Sequence, residues 1–390
     1  MRVAIIGGYP VDEVAIGGAA NVCRQIAQLL AARDDLDVHA VTATAAFCGE
    51  RHLEDGRVHV HVAGAAGWLP LGVRLYFGVR RRQVRLLREV APDIVHAQDP
   101  ADGLFAAEAG FPTVMTVHGI LFREVGFARH LRRLWGAVHL HYYRKGLRRV
   151  GHIISISPYA EEELRPWTDA AFHFIPNPVN PGFFGLDPGD AEPGRILHVG
   201  LLVVRKCVLE LIQAFERVCR RHPNARLRIV GELQRDPAYV QAVRALIARQ
   251  GLGDAVEILG VLSEEQLLEE MRRASILALM SRQETAPGCI GEAMAAGRAV
   301  VSSRICGIPH MVDDGITGLL AEAGDVDAFA AHLERLVADP ALCREMGRRG
   351  QERAMREYHP DRVVDQTLEV YRRVLQQEGA AAPDRKGEPS

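Results

Sequence analysis

Short apolar runs punctuate the first half of the chain at Val3–Ile6, Val38–Val41, Ile94–Val95, Val114–Val117 and Ile153–Ile156, with helical patterns filling most of the gaps. A second series follows at Ile196–Val199, Leu227–Val230, Val256–Leu259, Ile276–Leu279 and Val300–Val301. Apolar runs of this length read as strands, and strands alternating with helices predict a parallel sheet covered on both faces. The expected fold class is therefore α/β, with two Rossmann-like, doubly wound parallel-sheet domains in tandem. Between the two series lies Phe183–Gly194, FFGLDPGDAEPG, whose prolines and glycines extend neither sheet. That places the hinge at residues 178–194 and gives domains of 1–180 and 181–360. Pro360–Leu375 reads as a helix, so 361–376 forms a closing element, and 378–390 is Ala, Pro, Gly and charge with no means of burying a core.

One unit of the second series carries chemistry. Ser275–Met280 and Ala299–Ser302 are strands and Ile290–Ala296 is a helix between them, which makes strand, loop, helix, strand. The loop at the carboxyl end of the first strand opens into a crevice, and the amides of the following helix start point toward it. Ser281-Arg-Gln-Glu284-Thr-Ala-Pro-Gly288-Cys-Ile-Gly-Glu292 sets two carboxylates around that helix start. Glu284, in the loop, suits the hydroxyls of a sugar. Glu292, more than a turn into the helix, suits the paired hydroxyls of a ribose. The amides of Ala286 and Gly288 suit phosphate, and Gly297 ends the helix as a C′ residue.

This segment resembles the Glu-x7-Glu motif of retaining glycosyltransferases of the GT-B fold, in the GT4 family. The resemblance extends in family order through Gly17-Gly18 before a helix, Thr116-Val-His118-Gly, Ile153–Ser157, Ile175-Pro-Asn-Pro-Val179, His198-Val-Gly200 to Arg205-Lys206, and Gly307-Ile-Pro to Asp314–Leu320. It covers roughly residues 1–376. It implies two domains facing across a cleft, with the last helix crossing back onto the first. The first would take the acceptor and the second a nucleotide-diphosphate sugar. A hexose would then pass to a glycan or lipid-linked acceptor with retention, in cell-surface polysaccharide or glycolipid synthesis.

Breaking the bond between an anomeric carbon and a diphosphate puts negative charge on the departing oxygen, which fixed cations and preorganised amides stabilise. Arg205 and Lys206 follow the strand ending at Gly200 and are the candidates, and Lys206 is one of only three lysines, with Lys145 and Lys386. A solvated pair before a helix is the alternative. His118 ends an apolar strand before Gly119; the resemblance makes it a donor-side catalytic histidine, and a buried structural histidine is the other reading. His39, His96 and His198 also flank strands and read as structural. Gly17 and Gly18 let a phosphate approach a helix start, although a simple loop turn accounts for them equally. Two departures stand out: the family's arginine after Gly200 is Leu201 here, and the family's glycine with its amide proton is Pro287.

Two Asp-x-Asp strings, Asp35–Asp37 and Asp325–Asp327, read as a polar turn and a helix cap rather than metal ligands. The expectation is a metal-independent reaction with no cofactor. A formal charge of −2 removes any global bias toward nucleic acid, and seven cysteines with no C-x-x-C spacing predict reduced thiols, with Cys207 and Cys289 as packing residues. The apolar start is too short for a signal peptide and no run approaches a membrane span, so a cytoplasmic protein is expected. Arg74, Arg81, Arg85 and Arg88 share one face of a helix over 71–90, and Arg123–Arg149 holds eight cations against Glu124, with Trp135, Tyr142 and Tyr143. These basic stretches suit peripheral contact with an anionic membrane at its inner face, and a merely solvated arginine-rich face accounts for them equally. Two other classes stay open: a non-catalytic sugar-nucleotide-binding protein, and a dinucleotide-dependent oxidoreductase, for which neither first strand supplies a G-x-G-x-x-G turn.

Overall fold

The strands collect into two separate sheets. The computed structural model describes residues 1–11, 18–44, 48–65, 78–124 and 130–380. It divides into one unit of Met1–Pro178 with the chain from Asp361 onward, and a second of Val179–Pro360.

In the first unit, β1 (Arg2–Ile6), β2 (Asp37–Thr44), β3 (Cys48–Asp55), β4 (Val58–Ala65), β5 (Ile94–Ala97), β6 (Thr113–Val117), β7 (His152–Ser155) and β8 (Ala171–Phe174) are ordered 3-4-2-1-5-6-7-8. Every neighbouring pair is parallel except β3 with β4, so the expected parallel sheet carries one antiparallel edge strand. The helices are α1 (Gly18–Ala31), α2 (Arg80–Val90), α3 (Pro100–Glu108), α4 (His130–Arg149) and α5 (Pro158–Leu164). Alternate side chains of β1 enter opposite cores: Val3 and Ile5 pack with Ile26 and Leu30 of α1, and Ala4 and Ile6 with Leu86, Leu87 and Leu147. That two-sided burial is why β1 reads as an unbroken apolar run. β4 instead alternates: Val58, Val60 and Val62 enter the α1 core, while His61 lies 2.9 Å from His39 and 2.8 Å from His52.

The second unit is wholly parallel, with β9 (Arg195–Val199), β10 (Arg226–Val230), β11 (Val256–Gly260), β12 (Ile276–Leu279), β13 (Ala299–Ser303) and β14 (Gly318–Ala321) in the order 11-10-9-12-13-14. Its helices longer than four residues are α6 (Val208–Arg221), α7 (Pro237–Arg249), α8 (Glu264–Arg273), α9 (Gly288–Ala295), α10 (Val326–Ala338) and α11 (Pro340–Glu357). The segment expected as a hinge is pinned within this unit by Arg298, which is 1% exposed and donates to the carbonyls of Asp187 at 3.0 Å and Pro188 at 3.1 Å. The carboxyl ends of β9 and β10 lie so close that a Cβ on Gly231 would sit 1.8 Å from the Gly200 carbonyl oxygen. Only glycine permits that approach.

The last helix, α12 (Pro360–Ala380), runs five residues past its expected end and is part of the first unit. Val363, Val364, Leu368, Tyr371 and Val374 enter the core that holds β1 and α1. The expected tail from 381 on lies outside the described residues. Among the described residues no helix is long and apolar enough to cross a membrane.

Candidate functional site

In the second unit the strand order reverses between β9 and β12, so the loops leaving these two neighbours part and leave an opening at the carboxyl edge. Lys206 comes from the loop after β9 and Glu284 from the loop after β12. Although 78 positions apart, they form an ion pair between Nζ and Oε1, with both side chains buried at 8% and 7% exposure. The Ser281 hydroxyl donates to the same carboxylate oxygen at 2.8 Å. Arg205 donates to the Gln283 carbonyl at 3.1 Å and stands 3.8 Å from the Glu284 carboxylate.

The backbone fixes this cluster from both sides. The Arg282 amide donates to the Arg205 carbonyl at 2.9 Å, and the Gly307 amide to the Glu284 carbonyl at 3.0 Å. Cys207 and Cys306, at the outer ends of those ties, hold φ of 47° and 46°, the left-handed region that a side chain enters only under constraint. The expected cysteine roles hold: Cys207 and Cys289 are buried, and burial pushes the Cys289 thiol up to about 12.

Helix α9 begins at Gly288, two residues before the sequence placed it, and its N-cap is Pro287, which offers no capping side chain. The Ile290 amide donates to the Pro287 carbonyl at 3.1 Å, so the amides ahead of it in the first turn are the ones that suit an external anion. Gly288 is exposed, while Ala286 is half-buried. Gly297 closes the helix with φ of 68°, in the C′ role expected of it. Glu292 reaches back along the helix, its Oε1 3.9 Å from where a Gly288 Cβ would stand. Its side chain makes no hydrogen bond or ion pair among the described residues. Burial, and then the like charge of Glu264, push its carboxyl up to about 7. Because the folded protein holds that proton where the unfolded chain releases it, stability falls as pH rises from about 4.5 to about 7. Two outcomes are expected: a Glu292→Gln variant melts higher than wild type at pH 8, and wild-type affinity for a ribose-bearing ligand weakens as pH drops through 7. Titrations at pH 6, 7 and 8 check both, and a pH-independent wild type overturns them.

His118, in the first unit, stands just past β6 with Nε2 2.7 Å from the Gln98 Oε1. Its Nδ1 is buried with no partner among the described residues, and burial pulls its pKa down to about 4, so the ring is neutral at physiological pH. Gly18 opens α1, where a Cβ would meet nothing within 4 Å, so packing does not demand glycine there. Gly17 lies outside the described residues. His96 bridges the Tyr371 and Thr116 hydroxyls at 2.7 Å each, and His198 lies 3.0 Å from the Ala278 carbonyl, both as buried structural rings. His39 is held between His61 and Asp37.

The acids of the two Asp-x-Asp strings are engaged elsewhere. Asp37 pairs with Arg2 and Asp35 with Arg33, Asp325 caps α10, and Asp327 pairs with Arg217. Leu201 is half-buried at the site where an arginine was expected, which leaves Arg205 as the guanidinium beside Glu284. Arg81, Arg85 and Arg88 are exposed on α2, Arg85 paired with Glu50, while Arg74 and the Trp135 side chain lie outside the described residues. Tyr143 is buried, donating to the Gly119 carbonyl at 3.0 Å. Sequence reasoning gave no role to Ser281 or Gln98; Ser281 sits at the head of the acidic motif, so only its contact was missing.

A family model described as Glycosyl transferases group 1 matches residues 189–353, and one described as Glycosyltransferase Family 4 matches residues 16–183. A glycogen synthase of Mycobacterium tuberculosis is 30% identical over 75% of this chain and 72% of its own length. An MMP α-(1→4)-mannosyltransferase of Mycolicibacterium hassiacum is 29% identical over 77% and 75%. Among solved structures, a sucrose-phosphate synthase from Thermosynechococcus elongatus superposes with a TM-score of 0.83 over 98% of this chain and all of that one, at 22% identity. HepE of Anabaena, solved in complex with UDP-glucose, gives a TM-score of 0.74 over 95% and 99%, at 20% identity. With both halves matched and two Rossmann-like domains in hand, the chain belongs to the group 1, family 4-like glycosyltransferases of the GT-B fold.

Proposed function

We propose that the chain moves a hexose from a nucleoside-diphosphate sugar to a glycan or lipid-linked acceptor, with retention of anomeric configuration and without a metal ion. The observation that carries this reading is the buried Lys206–Glu284 pair at the switch point of the second sheet, beside the uncapped start of α9. The parts match the demands of the reaction. As the bond from the anomeric carbon to the diphosphate breaks, its electron pair stays on the departing oxygen, where Lys206, Arg205 and the α9 amides stabilise it. Glu284 holds sugar hydroxyls and Glu292 the ribose pair. His118 contributes from the donor side. The acceptor oxygen bonds the anomeric carbon on the face the diphosphate leaves, and its proton passes to the departing phosphate. Cations near the leaving group take the part a divalent ion plays elsewhere, and the engaged acids of the Asp-x-Asp strings support that choice. The glycogen synthase, the mannosyltransferase and HepE with UDP-glucose point to the same substrate class.

Leu201 and Pro287 favour one rival, a protein that holds a sugar nucleotide without turning it over. The test is a panel of UDP-, GDP- and ADP-hexoses with chelator present, followed by proton NMR for nucleotide release and product anomer. Release from one series, with product of the donor's configuration, is expected. No release from any member with any acceptor, despite tight nucleotide binding, replaces the enzyme by the binder; an inverted product removes the retaining mechanism.

A further inference from the structure

Gln98 is 8% exposed and sits immediately past β5, in the gap between the ends of β1 and β6. Its backbone N–H donates to the Ile6 carbonyl at 2.9 Å. A Cβ on Gly7 would lie 2.7 Å from the Gln98 Cβ, so the end of β1 is pressed onto this side chain and leaves it little freedom. Held in that way, Gln98 presents Oε1 to His118 Nε2 at 2.7 Å. With Oε1 turned to the ring, the bond puts the proton on Nε2, since a carbonyl oxygen only accepts, and a neutral imidazole then carries a bare lone pair on Nδ1; the Gln98 amide nitrogen is itself buried with no partner among the described residues. That Nδ1 is buried and has no partner among the described residues.

We propose that Gln98 is a positioning residue that locks His118 in the Nε2–H tautomer, so that Nδ1 is held ready to accept a hydrogen bond from a substrate hydroxyl. This rests on the donor-side role given to His118 above. The surroundings reinforce the lock. His118 and Gln98 line one small cavity with His96, Thr116, Ile175 and Asn177. His96 cannot compete for Gln98, because both its ring nitrogens are taken, one by Thr116 and the other by Tyr371 of α12. Among the described residues the titratable groups acting on His118 are Asp99, paired with His139 of α4, and His96, and neither touches Nε2. The ring's orientation therefore depends on one neutral acceptor. A carboxylate there would favour the imidazolium, whereas an amide oxygen selects a tautomer and leaves the ring uncharged.

The test uses imidazole nitrogen-15 spectra of the full-length protein, with His118→Ala to assign the signal. Wild type is expected to show a protonated Nε2 and a bare Nδ1. In Gln98→Met, which keeps the side-chain length, the His118 signals should move to an averaged or Nδ1–H pattern. Turnover should fall roughly 10–100-fold, the scale known for outer partners of metal-bound histidines, whose tautomer is fixed in the same way. In Gln98→Glu the adjacent carboxylate should raise the His118 pKa by roughly 1–3. At saturating donor, where the Glu292 effect on binding drops out, kcat would then gain an acid limb that wild type lacks there, its loss setting in as pH falls through the raised value. An Nδ1–H tautomer in wild type, or an unchanged tautomer in Gln98→Met, overturns the proposal whatever the turnover. Wild-type rates in His118→Ala, by contrast, remove the donor-side role of His118 itself and leave the tautomer result standing on its own.

Discussion

A Lys206→Met variant should release nucleotide from its donor roughly 10²–10³-fold more slowly than wild type, with the loss mainly in kcat. The charge on the departing diphosphate grows as the glycosidic bond breaks, so an ammonium fixed beside it stabilises the transition state more than the bound donor. Lys206 is buried and already oriented by Glu284, so little reorganisation is needed when that charge develops. Removing it also strands the Glu284 carboxylate. Breaking one side of a buried pair typically costs about 3–5 kcal/mol; here Ser281 at 2.8 Å and Arg205 at 3.8 Å soften the penalty. A lower melting temperature should accompany the kinetic loss. Turnover within a few-fold of wild type in a folded Lys206→Met protein would take the leaving-group role away from this residue.

Glu284→Gln is expected to be nearly as severe, slowing transfer by roughly 10²-fold or more. The amide keeps the shape but loses the charge that attracts sugar hydroxyls, and it leaves the Lys206 ammonium buried without its counter-charge. Because the two residues act as a unit, the double variant should lose little more activity than the worse single one. Stopped-time assays on the three proteins at saturating donor measure this. Multiplicative losses would mean that lysine and glutamate serve separate steps.

The strands buried on both faces were legible as apolar runs, because each of their side chains faces a core: β1, β6, β9 and β12 are examples. Three of the missed strands lack that property. β3 is a mostly exposed edge with charged residues along it, β4 alternates valine with histidine, and β8 is four partly exposed residues at a sheet end; β14 is buried on both faces but is only four residues long and opens with Gly318. β4's period of two was present in the sequence, but histidine at the alternate positions hid it. The site was readable as residue types and motif spacing: a lysine, two glutamates and a helix start. Their joining was not. Lys206 meets Glu284 only because β9 and β12 lie side by side at the reversal of strand order, and strand order is a property of the folded sheet. The Gln98–His118 contact was equally hidden, since it depends on the press of Gly7 against a side chain from another strand. The rise in the Glu292 pKa comes from burial beside Glu264, which no spacing within α9 announces.

The most direct measurement is calorimetric titration of UDP-, GDP- and ADP-hexoses into wild type and into Lys206→Met/Glu284→Gln. Removing both charges together leaves neither one stranded, so the double variant should melt close to wild type. The donor-site assignment predicts that one nucleotide series binds wild type and that its affinity for the folded double variant falls at least tenfold. Equal affinity of that series for both proteins would contradict it.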